Sequence, residues 1–232
     1  MGKLKFTIVF LLSFFTSKLC YSQDWPNLKR FQEANAQLSF PEPGKDRIVF
    51  MGNSITEGWS NHHPEFFTNR PYVNRGIGGQ TTPQMLLRFK QDVIDLKPSV
   101  VVILAGINDI AGNTGPSTLE MIADNIFSMA ELAKVHNIKV VLCSVLPAFD
   151  FPWRKGMEPA EKVVTLNAMI ASYAKKHDTV YVDYFSAMVN SQKGLKDELG
   201  SDGIHPNAAG YAIMEPLVEN GIARALNQKQ KP

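Results

Sequence analysis

A chain of 232 residues that is 44% hydrophobic and 20% charged is long enough to bury the core of one globular domain. Its formal charge of +2 becomes −1 without residues 1–22, which hold Lys3, Lys5 and Lys18 and no acid. That near-neutral balance, with no basic run longer than Lys175-Lys176, excludes a nucleic-acid footprint and an electrostatic membrane anchor.

Lys3 and Lys5 precede an apolar run, Phe6 to Phe15, that is too short to span a bilayer and suits a signal peptide over residues 1–22. Small residues at Cys20 and Ser22 put cleavage after Ser22. Lys18 and Leu19 stand where a lipoprotein signal requires small residues, which argues against lipid anchoring at Cys20. The expectation is a secreted protein of the bacterial periplasm or exterior. Nothing after residue 22 is long enough to span a membrane. Cys143 is then the one remaining thiol, so no intramolecular disulfide can form, and its apolar run makes it a core residue.

Residues 23–45 read as a lead-in with one helix, Leu28 to Leu38, closed by the breakers Pro41-Glu-Pro-Gly44. The domain proper covers 46–232. Short apolar segments at Ile48–Met51, Tyr72–Asn74, Val100–Leu104, Lys139–Ser144 and Val180–Asp183 alternate with stretches of helical period. Such alternation predicts an α/β protein, a three-layer α/β/α sandwich around a five-stranded parallel sheet in the flavodoxin-like order 2-1-3-4-5.

Between the second and third strands, Thr82 caps a predicted helix with Pro83 at its first position. Its apolar stripe is Met85, Leu86, Phe89, Val93 and Leu96. The next helix opens on a capping box, Ser117-Thr-Leu-Glu120, and sets Leu119, Ile122, Ile126 and Ala130 on one face. Pro159 opens another, and its end gathers Lys175, Lys176 and His177, where the helix dipole favours positive charge. His136 and His177 therefore read as helix-end residues rather than ligands. The last helix runs from about Asn207 to Leu226, with a kink or restart expected at Pro216.

Four clusters each lie just after a strand, where an open parallel sheet places its ligand crevice. In Gly52-Asn-Ser54-Ile-Thr, a serine in a sharp turn presents both hydroxyl and backbone N–H to one substrate atom. Alone, it reads as a helix cap. In Gly76-Ile-Gly-Gly79-Gln-Thr, a bare backbone approaches an oxyanion closely; alone, it is a turn. In Ala105-Gly106-Ile-Asn108-Asp109, the Asn108 amide serves equally as an oxyanion donor or an Asx turn. In Ser201-Asp202-Gly-Ile-His205-Pro206, a carboxylate three residues before a histidine meets its ring if the segment curls, which makes the histidine a general base. His62-His63, in a loop without a spaced partner cluster, makes a poor zinc site, so no metal is expected.

In this order and at these strand ends, the clusters resemble the blocks of the SGNH hydrolases, also called GDSL-type esterases and lipases, over residues 47 to 226. The resemblance implies a nucleophile at Ser54, a triad completed by Asp202 and His205, and an oxyanion hole from Ser54, Gly79 and Asn108, with no cofactor. One departure is Asn53, where the family usually carries an acid; it removes a charge beside Ser54 and touches no catalytic atom. The runs Gly52 to Trp59 and Phe151-Pro-Trp-Arg154 look most like bacterial carbohydrate acetylesterases and relatives of platelet-activating-factor acetylhydrolase.

The resulting expectation is a serine ester hydrolase that removes acetyl or another small acyl group from carbohydrate. Trp59, Phe149, Trp153 and Arg154 are candidate substrate contacts; Phe66 and Phe67 read as packing. A lysophospholipase or thioesterase is the alternative, since the same triad cleaves long acyl chains in an open apolar crevice. A non-catalytic carbohydrate-binding protein on the same fold is the reading of a different class. Reaction of Ser54 with an organophosphonate separates it from the hydrolases.

Overall fold

Four of the five strand segments keep most of their side chains from water, which is the pattern of a sheet covered on both faces. In the computed structural model, which describes residues 23–228, these are β1 (Ile48–Gly52), β2 (Tyr72–Gly76), β3 (Val100–Leu104), β4 (Lys139–Cys143) and β5 (Val180–Val182). They form one all-parallel sheet in the order β2-β1-β3-β4-β5, the order expected from the sequence. The central register is regular: Ile48 to Gly52 pair residue by residue with Tyr72 to Gly76 on one side and Val100 to Leu104 on the other. The signal-peptide reading, Cys20 included, lies outside the described residues. Among the described residues, no helix is long and apolar enough to cross a membrane.

In chain order the helices are α1 (Gln32–Gln37), α2 (Ser54–His62), α3 (Thr82–Asp92), α4 (Ile107–Ile110), α5 (Leu119–Val135), α6 (Pro159–Lys176), α7 (Tyr184–Met188) and α8 (Ala208–Asn227). The lead-in helix is shorter than its sequence pattern, because Leu28–Phe31 form a 3₁₀ turn before α1. Two caps fall one residue from where the sequence put them. Thr81, not Thr82, forms the capping box with Gln84, and Thr118, not Ser117, accepts from Met121 N. The last helix runs through Pro216 without a restart.

Two buried contacts aim these elements at the carboxyl edge of the sheet. Tyr211 of α8 donates to the carbonyl of Ile55, 2.7 Å away, and so pins the first turn of α2. Asn167 of α6 bonds both N and O of Val145, at 2.7 and 2.9 Å, and fixes the chain as it leaves β4. Cys143 is buried at the end of β4, and its burial pushes the thiol up to about 12. His136 and His177 occupy the C-cap positions of α5 and α6.

Candidate active site

The chain leaves β1 through Asn53, whose side chain accepts from Ile55 N at 3.0 Å and caps α2. Ser54 is the first residue of that helix. Because Asn53 does the capping, the Ser54 hydroxyl is left to another partner. That partner is His205: Ser54 Oγ and His205 Nε2 are 2.9 Å apart. On the far side of the ring, His205 Nδ1 is 2.6 Å from Asp202 Oδ2.

The Asp202–His205 segment curls because one carboxylate serves two purposes. Oδ1 accepts the N–H groups of Ile204 and His205 at 2.9 and 2.7 Å, which closes the turn, and Oδ2 is left for the ring. Burial works to raise the Asp202 pKa. The N–H of His205, its ring and the N–H of Ile204 outweigh it and hold the carboxyl below its usual value. An ionised Asp202 fixes the proton on Nδ1, so Nε2 faces the serine as an acceptor. The turn is anchored behind by Asn207, which caps α8 and bonds Leu199 O through its N–H at 2.8 Å.

The glycine turn after β2 flanks the serine. Gly76 is packed so closely on α2 that a Cβ there would lie 2.1 Å from Glu57 N, which forces glycine. A Cβ at Gly78 would come within 3.9 Å of Ser54 Cβ. At Gly79 there is open space, and glycine is favoured by a φ of +74°. That φ, rather than the close approach read from the sequence, is what Gly79 supplies. Among the described residues, neither the Ser54 N–H nor the Gly79 N–H has a hydrogen-bond acceptor.

Asn108, buried in α4, spends one Nδ2 hydrogen on the carbonyl of Gln80 at 3.0 Å and keeps the other. Its neighbour Asp109 is buried and takes three contacts from Thr82: N–H to Oδ1 at 2.9 Å, N–H to Oδ2 at 3.1 Å and Oγ1 to Oδ1 at 2.6 Å. Burial pushes Asp109 up to about 6, even against those bonds. An arrangement of hydroxyl, imidazole and carboxylate beside uncommitted N–H donors suits attack on a carbonyl carbon.

The model of the GDSL-like lipase/acylhydrolase family matches residues 50–213. This chain belongs to that family. The acylhydrolase is 49% identical to a GDSL-like lipase of Bacteroides thetaiotaomicron, whose crystal structure it matches with a TM-score of 0.84 over 86% of this chain and 98% of that one. It is 47% identical to a Bacteroides fragilis protein provisionally described as an acylhydrolase, with a TM-score of 0.87 over 89% and 100% of the two chains. Curated relatives are more distant. The uncharacterised lipoprotein YqeF of Bacillus subtilis is 29% identical over 62% of this chain, which spans 58% of its length. Platelet-activating factor acetylhydrolase IB subunit alpha2 of Homo sapiens is 26% identical over 74% of both chains. The acetylxylan esterase of Xylanibacter ruminicola is 26% identical over 79% of this chain and 45% of its own.

The candidate substrate contacts of this acylhydrolase divide. Trp59 does not reach the crevice: it is buried, stacks on Phe66 at 4.9 Å, and donates its Nε1 to Glu215 at 3.1 Å. Its position on α2 turns it toward β1, where Phe50, Phe66, Phe67 and Tyr72 complete an aromatic cluster. Arg154 is not a free cation either, since Nη1 donates to the carbonyls of Ala111 and Gly112 at 2.7 and 2.8 Å. It fastens the loop after β4 onto the segment behind Asn108. Within that loop, Phe151 is buried as an anchor, and Phe149 and Trp153 are exposed. The Trp153 ring centroid lies 6.3 Å from that of His205. His63 pairs with Glu215 and His62 stacks on Tyr211.

Sequence reading overlooked Glu57, Gln80 and Arg88. Gln80 and Arg88 are buried, and Glu57 accepts from Gly78 N at 2.8 Å. The available signal was Arg88, a cation one position before Phe89 of the apolar stripe in α3.

Proposed function

We propose that this GDSL-family acylhydrolase hydrolyses esters through Ser54, His205 and Asp202, and that it prefers acetyl or another small acyl group on carbohydrate. The observation that carries the first part is the unbroken line from Ser54 Oγ through His205 to Asp202, at 2.9 and 2.6 Å. His205 Nε2 accepts the serine proton as Oγ bonds to the carbonyl carbon, and the carbonyl oxygen becomes the oxyanion. The free N–H groups of Ser54 and Gly79 and the second hydrogen of Asn108 are the donors for that charge. His205 then protonates the departing alcohol. A water molecule, deprotonated by the same nitrogen, releases the acyl group from Ser54.

Small-acyl preference rests on the rim. Trp153 beside His205 offers an exposed aromatic face to a polar leaving group and narrows the space left for the acyl chain. Likeness to the acetylxylan esterase and to the platelet-activating factor acetylhydrolase subunit supports an acetyl ester.

Two measurements test the reading. Ser54→Ala is expected to fold normally and lose about 10³-fold or more in kcat. Near wild-type turnover refutes the nucleophile. A series of acyl chains on one alcohol, from acetyl to about twelve carbons, is expected to show kcat/KM falling with length in the wild type and a flatter profile in Trp153→Ala. A preference rising with length favours the lysophospholipase or thioesterase instead.

A further inference from the structure

Between the lead-in segment and α3 lies a set of polar side chains that a simple hydrophobic core would not contain. Gln80 and Arg88 are buried, and each such group costs stability unless fully hydrogen-bonded. Here they are. The Arg88 guanidinium donates Nε to Gln80 Oε1 at 2.6 Å, Nη1 to Asp92 Oδ2 at 3.1 Å and Nη2 to the carbonyl of Gly52 at 3.0 Å. One rigid fork therefore spans the strand end two residues before Ser54 and the turn that carries Gly79.

Gln80 is the junction. Its carbonyl accepts from Asn108 Nδ2, its Oε1 from Arg88, and its Nε2 donates to the carbonyl of Pro26 at 2.7 Å. Pro26 belongs to the lead-in segment, which lies outside the region matched by the family model. The same segment holds the far end of the network, where Asn35 donates to Asp92 Oδ1 at 2.8 Å and accepts from Arg75 Nε at 2.8 Å. A third tie runs from Arg30 to Glu57, which accepts from Gly78 N. This last ion pair is exposed and adds little.

We propose that the lead-in segment, acting through Gln80, positions the two donors of the oxyanion hole that flank it, the Gly79 N–H and the Asn108 amide. Gln80 is a positioning residue that touches no substrate. The proposal rests on the assignment of Ser54 and its oxyanion hole above. Truncating the Gln80 side chain releases the turn from Pro26 and Arg88, so the backbone carbonyl that holds Asn108 and the neighbouring Gly79 N–H lose their anchor together, and displacement of a transition-state donor appears in kcat more than in KM.

The test compares Gln80→Ala with Gln91→Ala in the full chain. Gln91 Nε2 makes a bond of similar length, 2.6 Å, from α3 to the carbonyl of Leu28 in the segment, with a longer contact of 3.4 Å to Asp92 Oδ1, and bonds neither Gln80 nor the glycine turn. Gln80→Ala is expected to lower kcat for an acetyl ester between about tenfold and 10²-fold with KM within about twofold. The rate at which a nitrophenyl phosphonate labels Ser54 should fall in parallel. Gln91→Ala should lower the melting temperature while leaving kcat and the labelling rate unchanged. If Gln80→Ala does not fold, Gln80→Glu keeps the acceptor for Arg88, loses the donor to Pro26, and is expected to show the same kcat effect several-fold in size. A folded Gln80 variant with wild-type kcat and labelling rate overturns the proposal, as does a change confined to KM or an equal kcat loss in Gln91→Ala. Full hydrolysis by Ser54→Ala in the same assay overturns instead the assignment on which the proposal rests.

Discussion

The two walls of the crevice are built on opposite terms. On the side of Gly79 and Asn108, polar groups are almost wholly withdrawn from water: Gln80 is 3% exposed, Asn108 4% and Asp109 2%. Each is held by bonds to neighbours on other elements. On the side of the base, the Asp202 and His205 side chains are each 38% exposed, and Trp153 is 50% exposed. The difference suits the roles proposed for the two walls. Donors to a transient charge gain from being fixed before the charge appears, whereas a base that exchanges protons, admits water and sheds an alcohol needs access.

This contrast breaks first if a core residue behaves like a rim residue. Trp59→Ala is expected to cost about 3–5 kcal/mol of stability in urea unfolding, as for a large aromatic lost from a packed cluster. Its misassignment from sequence is instructive, since nothing in Gly52 to Trp59 says which way a tryptophan five residues into a helix will turn. The answer depends on Phe66 and Tyr211, both distant in the chain.

On the rigid wall, Asn108→Ala should lower kcat by roughly 10²–10³-fold and leave KM nearly unchanged, because its amide meets the oxyanion chiefly in the transition state. A pure KM effect would make Asn108 a substrate-binding residue and erase the contrast.

Proton uptake separates the walls more finely. Asp109 ionises at about 6 in the folded protein against an ordinary value of 3.8, so between about pH 4 and 6 the native state holds a proton that the unfolded chain has released. Its contribution is fully present at the lower pH and lost as pH rises through about 6. Asp202, held below the ordinary value, acts with the opposite sign: it stabilises above that value and its contribution disappears as pH falls further into acid. Unfolding free energy measured in steps from pH 4 to 7 should fall more in the wild type than in Asp109→Asn. Equal slopes would show that the buried carboxyl is not the group titrating. The smallest effect is expected at the rim, where Trp153→Ala should change stability by no more than about 0.5 kcal/mol.

Much of this was legible in the chain. Apolar runs bounded by turn residues marked the strands, and their alternation with helical periods marked the sheet as parallel. Three of the four clusters follow directly on β1, β2 and β3 as read, whereas Asp202–His205 does not follow β5 directly: it comes after α7 and a 3₁₀ turn, and is held at that edge by the turn before α8. What stayed hidden was long-range and polar. The bonds of Gln80 to Pro26 and of Arg88 to Gly52 join residues 54 and 36 positions apart, and no local periodicity records them. Arg154 was read as a cation for the substrate because its partners, Ala111 and Gly112, are carbonyls that any residue would provide.

The burial of Cys143 has a practical consequence. Its sulfur is enclosed at the end of β4 and its thiol is pushed up to about 12, so it offers almost no thiolate to an alkylating reagent at neutral pH. Among the described residues the folded enzyme thus has a silent background for thiol chemistry. A Phe149→Cys variant would place a reactive handle on the exposed loop after β4 that also carries Trp153, where a fluorophore could report substrate binding without Cys143 having to be replaced.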